Sequence, residues 1–201
     1  ASVLVSQGKN AEAIVALKEG LALNREGLGE VHDQVAFNLM QLARASWKPG
    51  DDQAALAYEH EALSVLERLW KGEDHPTLAF PLSDLGRMLV DGGRPAEGEA
   101  HLRRALALHE KFRPAGHWEI AYAKSAVGNA LLTQNRWSDA EPLLLAGYDG
   151  LVAQPDFTAD DPRTRKAKQR LARLYAAWGK KDLAAKYGDA AAPNGVGKSP
   201  S

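Results

Sequence analysis

Gly93 to Leu108 reads GRPAEGEAHLRRALAL, and the spacing of its small and apolar residues recurs along the rest of the chain. With Gly93 as a corner, the equivalent positions are Gly8, Gly50, Asn135 and Gly179, at successive separations of 42, 43, 42 and 44 residues. Five positions after each corner stands a small residue: Ala13, Ala55, Gly98, Ala140 and Ala184. Twelve after it stands another: Gly20, Ala62, Ala105, Gly147 and Ala191. Seven before it the series is Ala1, Ala43, Gly86, Gly128 and Ala172. Small residues at fixed places in two consecutive helix-length segments are what close helix packing requires, because interaxial distances near the lower end of about 8–10 Å exclude large side chains. Each unit is therefore expected to be a helix, a turn at the corner, and a second helix folded back on the first. Such a period is the signature of a helical solenoid, whose units share their cores with their neighbours.

The residues of one unit carry a resemblance. Leu82, Leu85, Gly86 and Leu89 in the first helix, with Gly98, Leu102 and Ala105 in the second, resemble the tetratricopeptide repeat. The period exceeds that family's usual length of about 34, and together with the opening DHPTLA, Asp74 to Ala79, this resembles the kinesin-light-chain type. AEPLLLAGYDGL (Ala140 to Leu151) and RLARLYAAWGKKDLAAKY (Arg170 to Tyr187) are similar to the carboxy-terminal repeats of bacterial serine/threonine protein kinases. The resemblance implies an all-α fold, a tetratricopeptide-like helical-hairpin solenoid of 42–44 residues per repeat, acting as a protein-interaction module. It also implies a parent kinase in which the repeats follow the catalytic domain and recruit substrates or regulators.

Composition narrows the remaining classes. A formal net charge of −1 provides no bulk attraction to nucleic acid or anionic membrane. With no cysteine, disulfides and thiolate metal sites are excluded. There is no run of eighteen apolar residues, and the opening ASVLVSQGKN lacks the basic-then-apolar order of a signal peptide. Direct membrane insertion is not expected, and the placement expected from these features is cytoplasmic. Kinases of the resembled type often carry a membrane span ahead of their repeats, which would put the module outside. The start without methionine, on a first unit lacking most of its first helix, reads as a piece cut from a larger protein, with processing of a separate short protein as the alternative.

Along the chain, Val3 to Gln7 reads as the end of a shortened helix, with Gly8 as its turn and Asn10 as cap for a helix running to about Glu26. The repeat domain is expected over 1–191, as a partial repeat 1–30 and repeats 31–73, 74–116, 117–160 and 161–191. The second unit turns at Pro49-Gly50, since proline beside glycine does not continue a helix. Pro76 costs no hydrogen bond in a first helical turn, where its missing N–H would be unpaired anyway. Ser138 is the expected cap of the helix after Asn135. AQPDFTADDP, Ala153 to Pro162, is the longest expected break. Leu171, Leu174, Tyr175 and Trp178 beyond it require an apolar neighbour, so the last pair should pack on the fourth unit. Residues 192–201, small, polar and rich in glycine and proline, read as a disordered tail.

Motifs for chemistry are weak. APNGVGKS, Ala192 to Ser199, fits a relaxed phosphate-loop pattern, but that device needs a strand before it and a helix after it. No HExxH, no GxSxG and no kinase glycine loop, HRD or DFG is present; the fragment is expected to be non-catalytic and without a cofactor. His32, His75 and His117 hold equivalent places in three units, eleven before the small residue, which fits a recurring helix-start role better than a metal site.

In tetratricopeptide solenoids the first helices line the concave surface, and residues next to the small position point into it. Carried onto this chain, the residue after the small position is Arg44, Arg87, Asn129 and Arg173; six before it stand Phe37, Phe80, Tyr122 and Lys166; four after it stand Trp47, Val90, Leu132 and Ala176. The candidate peptide-binding residues are therefore Phe37, Arg44, Trp47, Phe80, Arg87, Tyr122, Asn129 and Arg173. Guanidinium groups offer forked donors to carboxylate or phosphate, and aromatic rings offer anchor area, so the expected partner is a peptide or protein segment with acidic and apolar side chains. Two readings stand beside each other: these residues hold a ligand, or the arginines pair with acids on adjacent helices and the rings fill gaps between units. At the level of the whole module the alternatives are a self-associating scaffold and the regulatory repeats of a nucleotide-binding switch protein.

Overall fold

The computed structural model describes residues 10–48 and 50–188. The expectations for Val3 to Gln7, the Gly8 corner, Pro49 and the tail with its phosphate-loop-like run lie outside the described residues. Within them the chain forms nine α-helices and no strand: α1 (Asn10–Leu28), α2 (Asp33–Ser46), α3 (Gln53–Leu69), α4 (Ala79–Asp91), α5 (Pro95–Phe112), α6 (Trp118–Thr133), α7 (Trp137–Val152), α8 (Pro162–Ala177) and α9 (Lys181–Tyr187). α2/α3, α4/α5, α6/α7 and α8/α9 are packed hairpins, and each hairpin also packs on the next. The first helices follow one another along one side, α4 touching α6 and α6 touching α8. This is the expected stack of four pairs behind a leading helix.

The corners share one conformation. Gly50, Gly93, Asn135 and Gly179 all have left-handed backbone, with φ of 82°, 81°, 60° and 77°. At three of them the following residue closes a bond five residues back: Arg94 N–H to the Leu89 carbonyl at 2.8 Å, Arg136 to Leu131 at 3.0 Å, and Lys180 to Tyr175 at 2.9 Å. That is the Schellman closure, which satisfies a terminal carbonyl and needs a residue tolerant of positive φ. Asparagine is the usual substitute for glycine there, which is why the repeat survives at Asn135.

Helix starts repeat as well. The Nδ1 of His32 accepts from Gln34 N–H at 3.2 Å, that of His75 from Thr77 N–H at 3.3 Å, and that of His117 from Glu119 N–H at 3.3 Å. In the last unit Asp161 holds the position, and its Oδ1 accepts from Arg163 N–H at 2.8 Å. Each side chain satisfies one of the amide donors that a helix start leaves unpaired. Two local expectations need correction. Asn10 is helical, within α1, rather than a cap, and α1 continues to Leu28. Ser138 lies inside α7, whose N-cap is Arg136 without a side-chain cap bond. The closure at Asn135 leads the chain directly into the helix, and the Arg136 guanidinium reaches Asp139 at 2.9 Å. Pro76–Leu78 forms a 3₁₀ turn before α4, because Pro81, two residues into α4, has no N–H to give the Thr77 carbonyl.

The small columns are the contact lines. Ala13, Ala43, Ala55, Ala62, Ala105 and Ala140 are fully buried. Within the α4/α5 hairpin a methyl on Gly98 would come to 2.5 Å from the Gly86 carbonyl oxygen, and one on Gly86 to 2.6 Å from Leu102 Cγ. Within α6/α7, Gly128 lies against Leu144 and Gly147 against Ser125 in the same way. The apolar core runs along the stack in two main clusters, one spanning α1 to α5 and the other reaching from Val90 in α4 to α9. Leu171, Leu174 and Tyr175 join the second cluster alongside Val127, Leu131 and Leu144, and Trp178 packs on it with its ring 6.4 Å from that of Trp137. The last pair therefore docks on the fourth unit across the break, as its apolar residues require.

Candidate functional site

The inner wall carries a cleft of about 400 Å³ between α2 and α4, with Phe37, Met40, Arg44 and Phe80 in its lining. A second cleft of about 370 Å³ lies between α4 and α6, with Arg44, Phe80, Asp84, Arg87, Trp118 and Tyr122 in its lining. Arg44 and Phe80 belong to both, so the two clefts form one trough across three units. Phe37 and Phe80 are 52% and 42% exposed, which is unusual for phenylalanine in a folded chain and leaves an apolar surface open to a partner.

The arginines of the trough are partly engaged. Arg44 on α2 donates Nε to Asp84 Oδ2 on α4 at 2.8 Å, and Arg87 donates Nη2 to Asp84 Oδ1 at 2.5 Å. Asp84 is buried, whereas the side chains of Arg44 and Arg87 stay 44% and 31% exposed. One buried carboxylate thus fixes two guanidinium groups of successive units and leaves part of each facing the trough. Behind them Glu59 on α3 is fully buried, and neither of its carboxylate oxygens has a partner. Burial first, and the charge of Asp84 second, push its carboxyl up to about 9 against the opposing pull of Arg44 and Arg87, so at neutral pH it is the protonated acid.

At the far end of the trough Arg163 lies over the rings of Phe157 and Trp118, 3.9 Å and 4.8 Å from their centroids. His109 is buried there, and burial lowers its pKa below the ordinary imidazole value. Glu119 takes a hydrogen bond from Arg113 and lies 3.6 Å from both His109 and His117.

The eight residues expected on the concave surface divide three ways. Phe37, Arg44, Phe80, Arg87 and Tyr122 meet along the trough. Asn129 and Arg173 lie together in a separate recess of about 110 Å³ with Asp91, Lys166, Gln169 and Arg170. Trp47, the C-cap of α2, packs against the first core cluster and lines neither cleft. Arg44 and Arg87 pair with an acid and also keep part of each side chain exposed.

Asp84, Glu59 and Arg170 were missed, although the repeat register contains a signal for each. Two before the small residue the column reads Gln41, Asp84, Ala126 and Arg170, a set of inward positions that vary in charge. Three before the small residue of the second helix it reads Leu17, Glu59, Leu102 and Leu144, where the lone acid stands in a core column.

A tetratricopeptide-repeat family model matches residues 82–117, and no curated protein matches the chain. Among solved structures, the chain superimposes on the nearly identical TPR-like repeats of a protein from Podosopora anserina assigned as a kinesin light chain, with a TM-score of 0.73, 19% identity and coverage of 92% of this chain and 87% of that one. A second structure of those repeats, a single-substitution form, gives a TM-score of 0.74 at 19% identity, covering 92% and 86%. The chain has the tetratricopeptide-like helical-hairpin solenoid fold. Its repeats follow the kinesin-light-chain pattern in fold. Tetratricopeptide solenoids in general present extended concave surfaces that bind peptides and proteins. No helix among the described residues is long and apolar enough to cross a membrane.

Proposed function

We propose that this tetratricopeptide module docks an extended or helical segment of another polypeptide in the trough across α2, α4 and α6, taking apolar side chains against Phe37 and Phe80 and acidic ones against Arg44 and Arg87. The observation that carries this reading is the sharing of Arg44 and Phe80 between the two clefts, because it gives one surface with alternating apolar and cationic points at the spacing of the units. The preset guanidinium groups favour it further: held on Asp84, they lose little rotamer freedom when a carboxylate arrives. We set the units that present this surface at 31–73, 74–116 and 117–160. In the kinase setting that the last two units resemble, the module would bring substrates or regulators to the enzyme.

The test is selection of peptides from a displayed random 12-residue library on the intact chain, followed by titration of the selected peptides. Phe37→Ala with Phe80→Ala should weaken binding at least ten-fold, and Arg44→Ala should weaken it in a manner that fades at high salt. Because Phe37 and Phe80 are exposed, the double variant should melt close to the wild type. Binding left intact by both changes would discard the trough as the docking surface.

A further inference from the structure

The recess between α4, α6 and α8 has a charge composition unlike the trough. Lys166, Arg170 and Arg173 from α8 face a single carboxylate, Asp91 at the end of α4, while Asn129 comes from α6. Arg170 is 4% exposed, and its Nη1 donates to Ser125 Oγ at 3.0 Å, a neutral acceptor. No carboxylate of the described residues lies within 4 Å of Lys166, Arg170 or Arg173, in contrast to Arg44, Arg87 and Arg136, each of which has at least one. The buried side-chain oxygen of Asn129, a residue only 9% exposed, is without a hydrogen-bond partner. Buried cations are ordinarily paired, and buried amides are ordinarily satisfied. Here both rules are broken in one small place.

Three cations against one acid leave an excess of two positive charges. We infer that the recess receives the phosphate group of a phosphorylated side chain, carried on a polypeptide that lies along the concave trough. The charge favours a dianion over a carboxylate: a phosphate monoester bears about −1.5 to −2 at neutral pH and offers three acceptor oxygens, whereas a carboxylate would leave one cation without a counter-charge. Two guanidinium groups and an ammonium supply forked and point donors for those oxygens. The Asn129 amide, which can turn its NH₂ toward the recess, adds a neutral donor.

Size argues for a group on a chain. About 110 Å³ admits a phosphate and little else, so the rest of the ligand must continue outside. The trough is next to it: Arg87 and Tyr122 line the trough, and both influence the charge of Arg170. The cost of gathering cations shows in the same residues: burial and then neighbouring guanidinium groups lower the Lys166 ammonium, and burial draws Arg170 down to about 10. An anion in the recess relieves both. This inference rests on the docking reading above but adds a separate ligand chemistry and a separate set of residues.

The test uses the full chain and blocked seven-residue peptides identical except at the centre, which carries phosphoserine, glutamate or serine. A serine peptide with a free terminal carboxylate and inorganic phosphate alone complete the set. The phosphoserine peptide is expected to bind at least ten-fold more tightly than the others, with affinity rising between pH 5 and 7 as the phosphate takes its second charge near pH 6. The charged and titratable groups around the site are Lys166, Arg170 and Arg173 on α8, Arg87 and Asp91 on α4, and Tyr122 on α6. With no histidine among them, a change over that interval belongs to the ligand.

Lys166→Ala and Arg173→Ala, at exposed positions, should each weaken the phosphopeptide three- to ten-fold, and Asp91→Asn should tighten it. Equal binding of the glutamate or free-carboxylate peptide, indifference to these three substitutions, or inorganic phosphate as tight as the phosphopeptide would each overturn the inference. Library peptides that still bind in the trough after such a result would leave the docking reading intact.

Discussion

At the residue scale, Glu59 is the most unusual side chain in the protein. It occupies a column where the other units place Leu17, Leu102 and Leu144, and it has neither solvent nor a hydrogen-bond partner. The folded chain holds it protonated up to about pH 9, while the unfolded chain releases the proton near 4.5. A folded-state pKa above the unfolded one gives stability that is complete below about pH 4.5 and is lost as pH rises toward 9, with a slope of at most about 1.4 kcal/mol per pH unit. Urea unfolding at pH 5 and pH 8 should therefore show the wild type weaker at pH 8, and Glu59→Gln should flatten that difference. Glu59→Leu, which restores the column, should raise the unfolding free energy by about 1–4 kcal/mol, as replacement of buried ionisable groups by packed apolar ones often does. A destabilised leucine variant would mean that the carboxyl has a partner at this site. The same residue shows what a single unit hides: nothing in the local sequence around Glu59 marks it as buried, and only comparison across units reveals an acid in a leucine column.

At the element scale, the hairpins are set by backbone approach. Gly98 cannot accept a methyl group, which would meet the Gly86 carbonyl oxygen at 2.5 Å and Val90 Cγ2 at 2.8 Å. Backbone does not yield as a flexible side-chain end does, so Gly98→Ala should force α4 and α5 apart and cost about 1–3 kcal/mol. Gly20 belongs to the other small column, twelve residues after its corner, and a methyl there would make only an ordinary contact of 3.4 Å with Asn38. Gly20→Ala should be neutral or should stabilise by up to about 1 kcal/mol through helix propensity. Thermal melts of the two variants side by side check this, and equal losses would refute the packing account. The small-residue columns, the left-handed corners and the histidine caps were legible because each requirement is local and returns in every unit. The place of Ser138 was not, because two residues of drift in where a helix begins change no column and leave no trace in the spacing.

At the scale of the whole molecule, each unit packs on its neighbours, so stability is transmitted along the stack and declines toward its ends. α9, seven residues long, contributes no fully buried residue, whereas α4 and α6 are buried along most of their lengths between neighbours. Amide hydrogen exchange should accordingly be slowest in α4 to α6 and faster by orders of magnitude in α9. Uniform protection across the helices would show a globular unit in place of a linear one.

The sequence by itself determined the all-helical fold, the pairing of helices and the corners, because these follow from short-range geometry repeated every 42 to 44 residues. Only the tertiary structure decided that Asp84 ties Arg44 to Arg87, that Trp47 belongs to the core, that Arg170 is buried without an acid and that the inner surface divides into a trough and a recess. Those outcomes depend on long side chains meeting across units about forty residues apart, where each unit departs from the others and the period carries no information.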